Sequence, residues 1–350
     1  MASRERLDQG AEMQRGTLVR RPLRLFIVIG SVVLALVGVV LLFTVGRSGT
    51  SSEAVAATLR MPGNPGWITA GADALWVTLM SPPREADDRL VRVGLADGEV
   101  QRMVAPGGLL SFTTRAGDSL WAVWLKAWPN GPAELLEIDW ETGEVKGRVP
   151  VGSNARDLVY ADGYIWATTG TDGTVLRIDP ETREVVGEPI RIGSFALGIA
   201  AGEGAVWVSD ADAGVLVRID PSSLETTRIA VGGFLAGVAV GGGNVWASDP
   251  DQGLYRIDPA TLRVVDGPIP TASGSFWPES DEQTVWIASG TEGTVLALDA
   301  RTGTRLGDPV KIGTGSQNIS VAAVTQTSVW ASNFPDSTVS RIDPAAVGAP

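Results

Sequence analysis

The chain contains no cysteine and no histidine. Without cysteine there is no disulfide to staple the fold and no thiol for a lipoprotein anchor. Without histidine the imidazole that moves protons near neutral pH is missing. Together the two absences remove the usual zinc sites and the Ser-His-Asp triad. Positive charge is scarce as well: 28 Lys and Arg stand against 40 Asp and Glu, a net of −12. Residues 1–47 hold seven Arg and three acids, net +4, which leaves −16 for the rest. An acidic body of this kind serves solubility and argues against nucleic acid and anionic lipid head groups as partners.

Charge disappears altogether between residues 25 and 45, a run of 21 apolar or small residues. At about 1.5 Å per residue the run matches one bilayer core of about 30 Å. Arg15, Arg20, Arg21 and Arg24 precede it and only Arg47 follows closely. This asymmetry predicts a single-pass plasma-membrane helix with residues 1–24 as a cytoplasmic tail and the remainder extracytoplasmic. A cleavable signal peptide is the rival reading, but its apolar region is usually about 7–15 residues. Cleavage near Ala54-Val55-Ala56 would also cut into a β-rich segment. Gly30 and Gly38 are eight apart, so the span lacks the close-packing GxxxG pattern. Residues 46–53 read as a Gly/Ser/Thr linker.

What is abundant beyond the linker is repetition. Trp76, Trp121, Trp166, Trp207, Trp246, Trp286 and Trp330 recur at spacings of 45, 45, 41, 39, 40 and 44 residues. A period of about 40–45 residues is that of a propeller, one four-stranded blade per repeat. The clearest copy spans 192–232: four short β-rich runs broken by Gly, Asp and Pro, an antiparallel meander. Its third strand ends in Arg218-Ile219-Asp220-Pro221, echoed at 177–180, 256–259 and 341–344 and more loosely at 137–139 and 297–299. Asp followed by Pro is turn chemistry rather than a catalytic carboxylate ring. One buried indole per repeat is what blade-on-blade packing uses. The last repeat lacks its outermost strand, and an orphan strand at 54–60 precedes the first. The reading is an all-β, seven-bladed β-propeller over 54–350, closed by strand 54–60.

The phrase Gly-Ile-Ala-Ala-Gly-Glu-Gly-Ala-Val-Trp-Val at 198–208, followed by Val-Arg-Ile-Asp-Pro at 217–221, resembles the bacterial YVTN-type propeller repeat. It is also similar to the propeller of the virginiamycin B (streptogramin) lyase family, and the likeness runs over 54–344. The resemblance implies a seven-bladed ring and, in the lyases, a magnesium-assisted elimination with histidine as general acid or base. This chain offers no histidine position to carry across, so no catalytic residue, metal or cofactor is assigned. Asp210-Ala211-Asp212 and Asp249-Pro250-Asp251 place carboxylates two apart, but the twelfth position from Asp210 is Pro221, not the Glu of a calcium loop. They read as ordinary turns.

Propeller connectivity puts the blade-to-blade crossings and the turns between second and third strands on one face. Phe112, Phe195, Phe234, Phe276 and Phe334 all fall there, with Trp67, Trp124, Trp128 and Trp277; Trp140 falls on the other face. Counting twelve residues back from each of the first six repeat Trp gives Asn64, Leu109, Asn154, Phe195, Phe234 and Gly274, expected around the channel mouth, with blade seven offset by an insertion. With Trp67, Phe112, Arg156, Phe276, Trp277, Gln317 and Asn318 beside them, these residues suggest a ligand site. The competing reading is that the aromatics only plug the channel. Trp128 and Asn130 in the loop at 126–133, and the acid- and Pro-rich loop at 81–89, are expected partner contacts. The function expected is a non-catalytic binding or scaffolding module for a peptide, protein or cell-wall glycan, monomeric in its propeller. The alternative is a lyase- or hydrolase-type enzyme using carboxylates and a divalent metal.

Overall fold

A computed structural model of the chain describes residues 53–81, 88–127, 131–315, 319–325 and 328–349. The described residues form seven antiparallel sheets, six of them meanders with their strands in sequence order. From blade one to blade seven the innermost strands are Asn64–Ala70, Leu109–Ala116, Leu158–Ala161, Ala196–Gly202, Val238–Gly241, Ser275–Ser280 and Ile319–Thr325. The outer strand of blade three is split into Glu184–Val185 and Ile190–Arg191, both paired with Thr174–Asp179. Val55–Arg60 pairs antiparallel with Thr338–Ile342, so the first described strand is the outermost strand of blade seven. The predicted span at 25–45 and its flanks lie outside the described residues. Among those described, no helix is long and apolar enough to cross a membrane.

The seven repeat tryptophans explain why the sheets stay together. Each is 4% exposed or less. Each packs into the next blade around the ring. Trp76 joins Leu120 and Leu136, Trp121 joins Ile165 and Ile178, and Trp166 joins Val206 and Val208. Trp207 joins Val245 and Ile257, Trp246 joins Val285 and Leu298, and Trp286 joins Val329 and Ile342. Trp330 completes the circle against Leu75, Val77 and Val93 of blade one.

The Asp of the Ile-Asp-Pro phrase is a turn residue wherever it occurs. In Asp139, Asp179, Asp220, Asp258 and Asp299 the Oδ1 atom accepts from the backbone N–H groups two and three residues on. These bonds hold the carboxyls of Asp139, Asp258 and Asp299 below the usual carboxylate range. Asp220 falls to about 2, chiefly through the Ser222 hydroxyl.

A second repeat device joins the blades near the axis. Two residues after the Trp stand Thr78, Thr168, Ser209, Ser248 and Ser332, with Val123 and Ala288 as the departures. Ser209 Oγ accepts from Gly198 N of its own inner strand at 2.8 Å and donates to Ala236 O of the next blade at 2.8 Å. Thr168 Oγ1 does the same between Asp157 N at 2.9 Å and Leu197 O at 2.8 Å. Ser248 Oγ links Gly237 N to Phe276 O. Because Ser209 is fully buried, Ser209→Ala strands a donor and an acceptor. The expected loss is about 1–3 kcal/mol in chemical denaturation. A fall of less than about 0.5 kcal/mol would show that the hydroxyl does not hold the blades.

Candidate binding site in the central channel

The hydroxyl device fixes a register that the repeat alone leaves open. Its backbone donor lies nine residues before the repeat Trp. Trp67 N reaches Thr78 Oγ1 at 2.8 Å as Asp157, Gly198 and Gly237 reach theirs. The same position holds Phe112 in blade two and Trp277 in blade six. In blades one, two, four and six this residue sits in a register shift of the inner strand, an extra residue that re-aims the side chain. One layer around the axis therefore carries Trp67, Phe112, Asp157, Gly198, Gly237 and Trp277. At the two glycines a Cβ would lie 2.4 Å from Ala236 O and 2.6 Å from Phe276 O, the backbone of the following blade.

The aromatic members of the layer touch. The rings of Trp67 and Phe112 are 4.6 Å apart and tilted, and Phe112 meets Trp277 edge-on at 4.7 Å. Blades two and six are not neighbours, so the second contact crosses the channel. Trp277 also packs with Phe195 on Leu197, Ala211 and Ala236 of blades four and five. Part of the aromatic set thus does fill the channel.

Two carboxyls share this space, and neither was singled out from the sequence. Asp157 occupies the aromatic layer, and its Oδ2 accepts from Ile199 N of blade four at 3.2 Å. Burial pushes its carboxyl up to about 8, against the backbone N–H bonds of Ile199 and Leu158, and the charge of Glu279 adds to the rise. Glu279 lies two residues beyond Trp277 on the inner strand of blade six. Water reaches its side chain, yet protein surrounds it, as on the wall of a narrow bore, and that enclosure raises it to about 7. Blades three and six are also non-adjacent, so their two carboxyls sense each other across the channel. At the register of Glu279 the other described inner strands carry Thr69, Thr114, Val159, Ala200, Ala239 and Ala323. Glu279 is the one acid among small side chains there.

The remaining expected site residues divide by position. Phe234 and Phe276 are each 37% exposed, on adjacent blades of the mouth face. The Arg156 guanidinium lies 5.8 Å from the centre of the Phe195 ring. Asn154 is buried rather than open to the mouth. It adopts a left-handed φ of 69° and donates to Thr171 Oγ1 at 2.8 Å, shaping its turn. Asn64 accepts from the Ser337 hydroxyl at 3.1 Å at the seam between blades one and seven. Asp88, at the end of the acidic blade-one loop, turns inward and accepts from Ser81 N and Leu110 N. Asp210 and Asp249, the calcium candidates, hold crossings instead. Asp210 accepts from Ser194 N and Phe195 N and pairs with Arg228 at 2.8 Å, and Asp249 accepts from Phe234 N and Gln252. Trp128, Asn130, Gln317 and Asn318 lie outside the described residues.

The chain is a seven-bladed β-propeller. No family model matches it, and no curated protein does. Among solved structures it is similar to the computationally designed Ika8 protein, with a TM-score of 0.57 and 13% identity. The alignment covers 81% of this chain and 98% of that one. At such identity the likeness concerns the fold alone.

Proposed function

We propose that this propeller is a membrane-anchored, extracytoplasmic binding or scaffolding module that engages a peptide, protein or cell-wall ligand at its channel mouth. Its lineage is read as YVTN-type, streptogramin lyase-like, without the lyase histidines. One observation carries the reading: aromatic side chains gather on one face, where Phe234 and Phe276 stay exposed while Trp67, Phe112 and Trp277 meet across the channel. The repeat Trp residues already perform the blade packing, and Phe234 and Phe276 stay exposed beside it. Exposed rings over a concavity are where a ligand gains most from leaving water.

The test is a crosslinking pull-down from membranes that compares the intact chain with Phe234→Ala/Phe276→Ala. Both rings are partly in solvent, so the variant is expected to fold. The expected result is a partner retained by the intact chain and lost from the variant. An identical set of partners would move the binding surface off the mouth.

Asp157 and Glu279 favour a second reading, a lyase- or hydrolase-type enzyme. Carboxyls that titrate near neutral pH suit general acid–base work. That reading requires turnover that Asp157→Asn and Glu279→Gln each abolish while mouth variants spare it.

A further inference from the structure

The mouth and channel together suggest what kind of ligand they take, an inference that rests on the binding-module reading. The channel joins three features that recur at sites for organic cations. Aromatic rings from three blades meet across it, tilted or edge-on to one another. Two carboxyls from two further directions, Asp157 and Glu279, stand in the same space with no basic partner among the described residues in ion-pair contact with either. The sequence beyond residue 47 carries a net charge of −16, which draws cations toward it. The mouth already holds a guanidinium on an aromatic face, in Arg156 over Phe195.

We infer that the central channel binds an ammonium or guanidinium group, such as a lysine- or arginine-like side chain of a cationic ligand, between the Trp67–Phe112–Trp277 rings and the carboxyls of Asp157 and Glu279. The rings supply cation–π attraction, which strengthens where water is displaced. The carboxyls supply the counter-charge. A neutral ligand such as a sugar gains from the rings but leaves the two acids without a cation. Entry of a cation favours their ionised forms, so binding expels protons and strengthens as pH rises. Asp157, Glu279 and the cation are then the groups that titrate together, because Asp157 senses the charge of Glu279 across the channel.

The probe is agmatine, titrated calorimetrically into the full chain in detergent at pH 5.5 and pH 8.5, with N-acetylglucosamine as the neutral comparison. Saturable agmatine binding is expected, at least tenfold tighter at pH 8.5, with proton release that changes the observed heat between buffers. Glu279→Gln is close to isosteric and at a water-accessible site, and its melting at pH 5.5 checks that it folds. It is expected to lose tenfold or more in agmatine affinity at pH 8.5, while Val265→Ala, exposed on the outer strand of blade five, retains it. Three results overturn the inference: no saturable agmatine binding at pH 8.5, unchanged binding by Glu279→Gln, or binding of N-acetylglucosamine with none of agmatine. If agmatine fails while the pull-down partner still depends on Phe234 and Phe276, the binding module stands and the cation site falls.

Discussion

Trp207→Ala is expected to lower the stability of the propeller by roughly 3–5 kcal/mol. The indole is fully buried, and its Nε1 donates to Gly202 O at 3.0 Å. It packs with Leu216 of its own blade and with Val245, Ala247 and Ile257 of the next. Truncation therefore opens a void at the seam between blades four and five and leaves the Gly202 carbonyl without its partner. Sheets packed into a ring relax poorly around such a void, because a shift that closes it opens the neighbouring seam. Against a typical stability of about 5–15 kcal/mol, one such change consumes much of the margin. Equilibrium unfolding in guanidinium, followed by tryptophan fluorescence, measures it. A loss below about 1.5 kcal/mol would contradict the assignment of the repeat indoles as the inter-blade core.

The second large effect is on pH. Asp157 and Glu279 are raised on folding from usual values of 3.8 and 4.5 to about 8 and about 7. Between those limits the folded chain holds protons that the unfolded chain releases. Stability from this source is present in full below about pH 4 and is lost as pH rises through 7 and 8. The turn carboxyls act oppositely. Asp139, Asp220, Asp258 and Asp299 are lowered, so their contribution is present above about pH 4 and lost in acid. The two trends place the stability maximum in mildly acidic solution, with a fall on the order of 2 kcal/mol from pH 5 to pH 9. Most of that fall belongs to Asp157, because solvent screens Glu279 more. For a domain of this size each kcal/mol moves the melting temperature by roughly 2–4 °C. Asp157→Asn/Glu279→Gln is expected to flatten the alkaline slope. The amide introduced by Asp157→Asn has a single acceptor oxygen and cannot serve both Leu158 N and Ile199 N as the two carboxyl oxygens do. A uniform loss is therefore expected as well, and the slope is the readout. An unchanged slope in the double variant would place its origin elsewhere.

Much of the architecture was legible because it repeats. The seven indoles and the Ile-Asp-Pro turns recur at fixed intervals, and repetition turns weak local signals into a count of blades. The hydroxyl two residues after five of the seven Trp was equally legible in principle, as Trp-Val-Ser at 207–209 and Trp-Ala-Ser at 246–248, but a Ser or Thr in a strand carries no sign of what it bonds. The channel was harder. The repeat alone does not say which inner-strand residue faces the axis: counting back twelve residues selected the buried Asn154, and counting back nine finds Asp157 at the position of Trp67, Phe112 and Trp277. Nor does sequence show that Glu279 is enclosed. Its confinement comes from blades distant in the chain. The next blade also limits this layer: at Gly198 and Gly237 its backbone leaves no room for a side chain, and that neighbour is about forty residues away.

The pairing of Val55–Arg60 with Thr338–Ile342 has a consequence for how the molecule is made. The strand that completes blade seven is among the first parts of the propeller synthesised, and its partner is among the last. Val55 must wait for Ile342, so six blades emerge and collapse while the seventh has neither its inner strands nor its seal. During that interval the faces around Trp286 and Leu75 are open to water, and the nascent ring is an arc with two sticky ends. Loop closure over such a separation is slow, and arcs of this kind are prone to join one another. Assembly of the ring is therefore a race between the two ends of one chain and the ends of its neighbours, settled only once translation reaches the last strand.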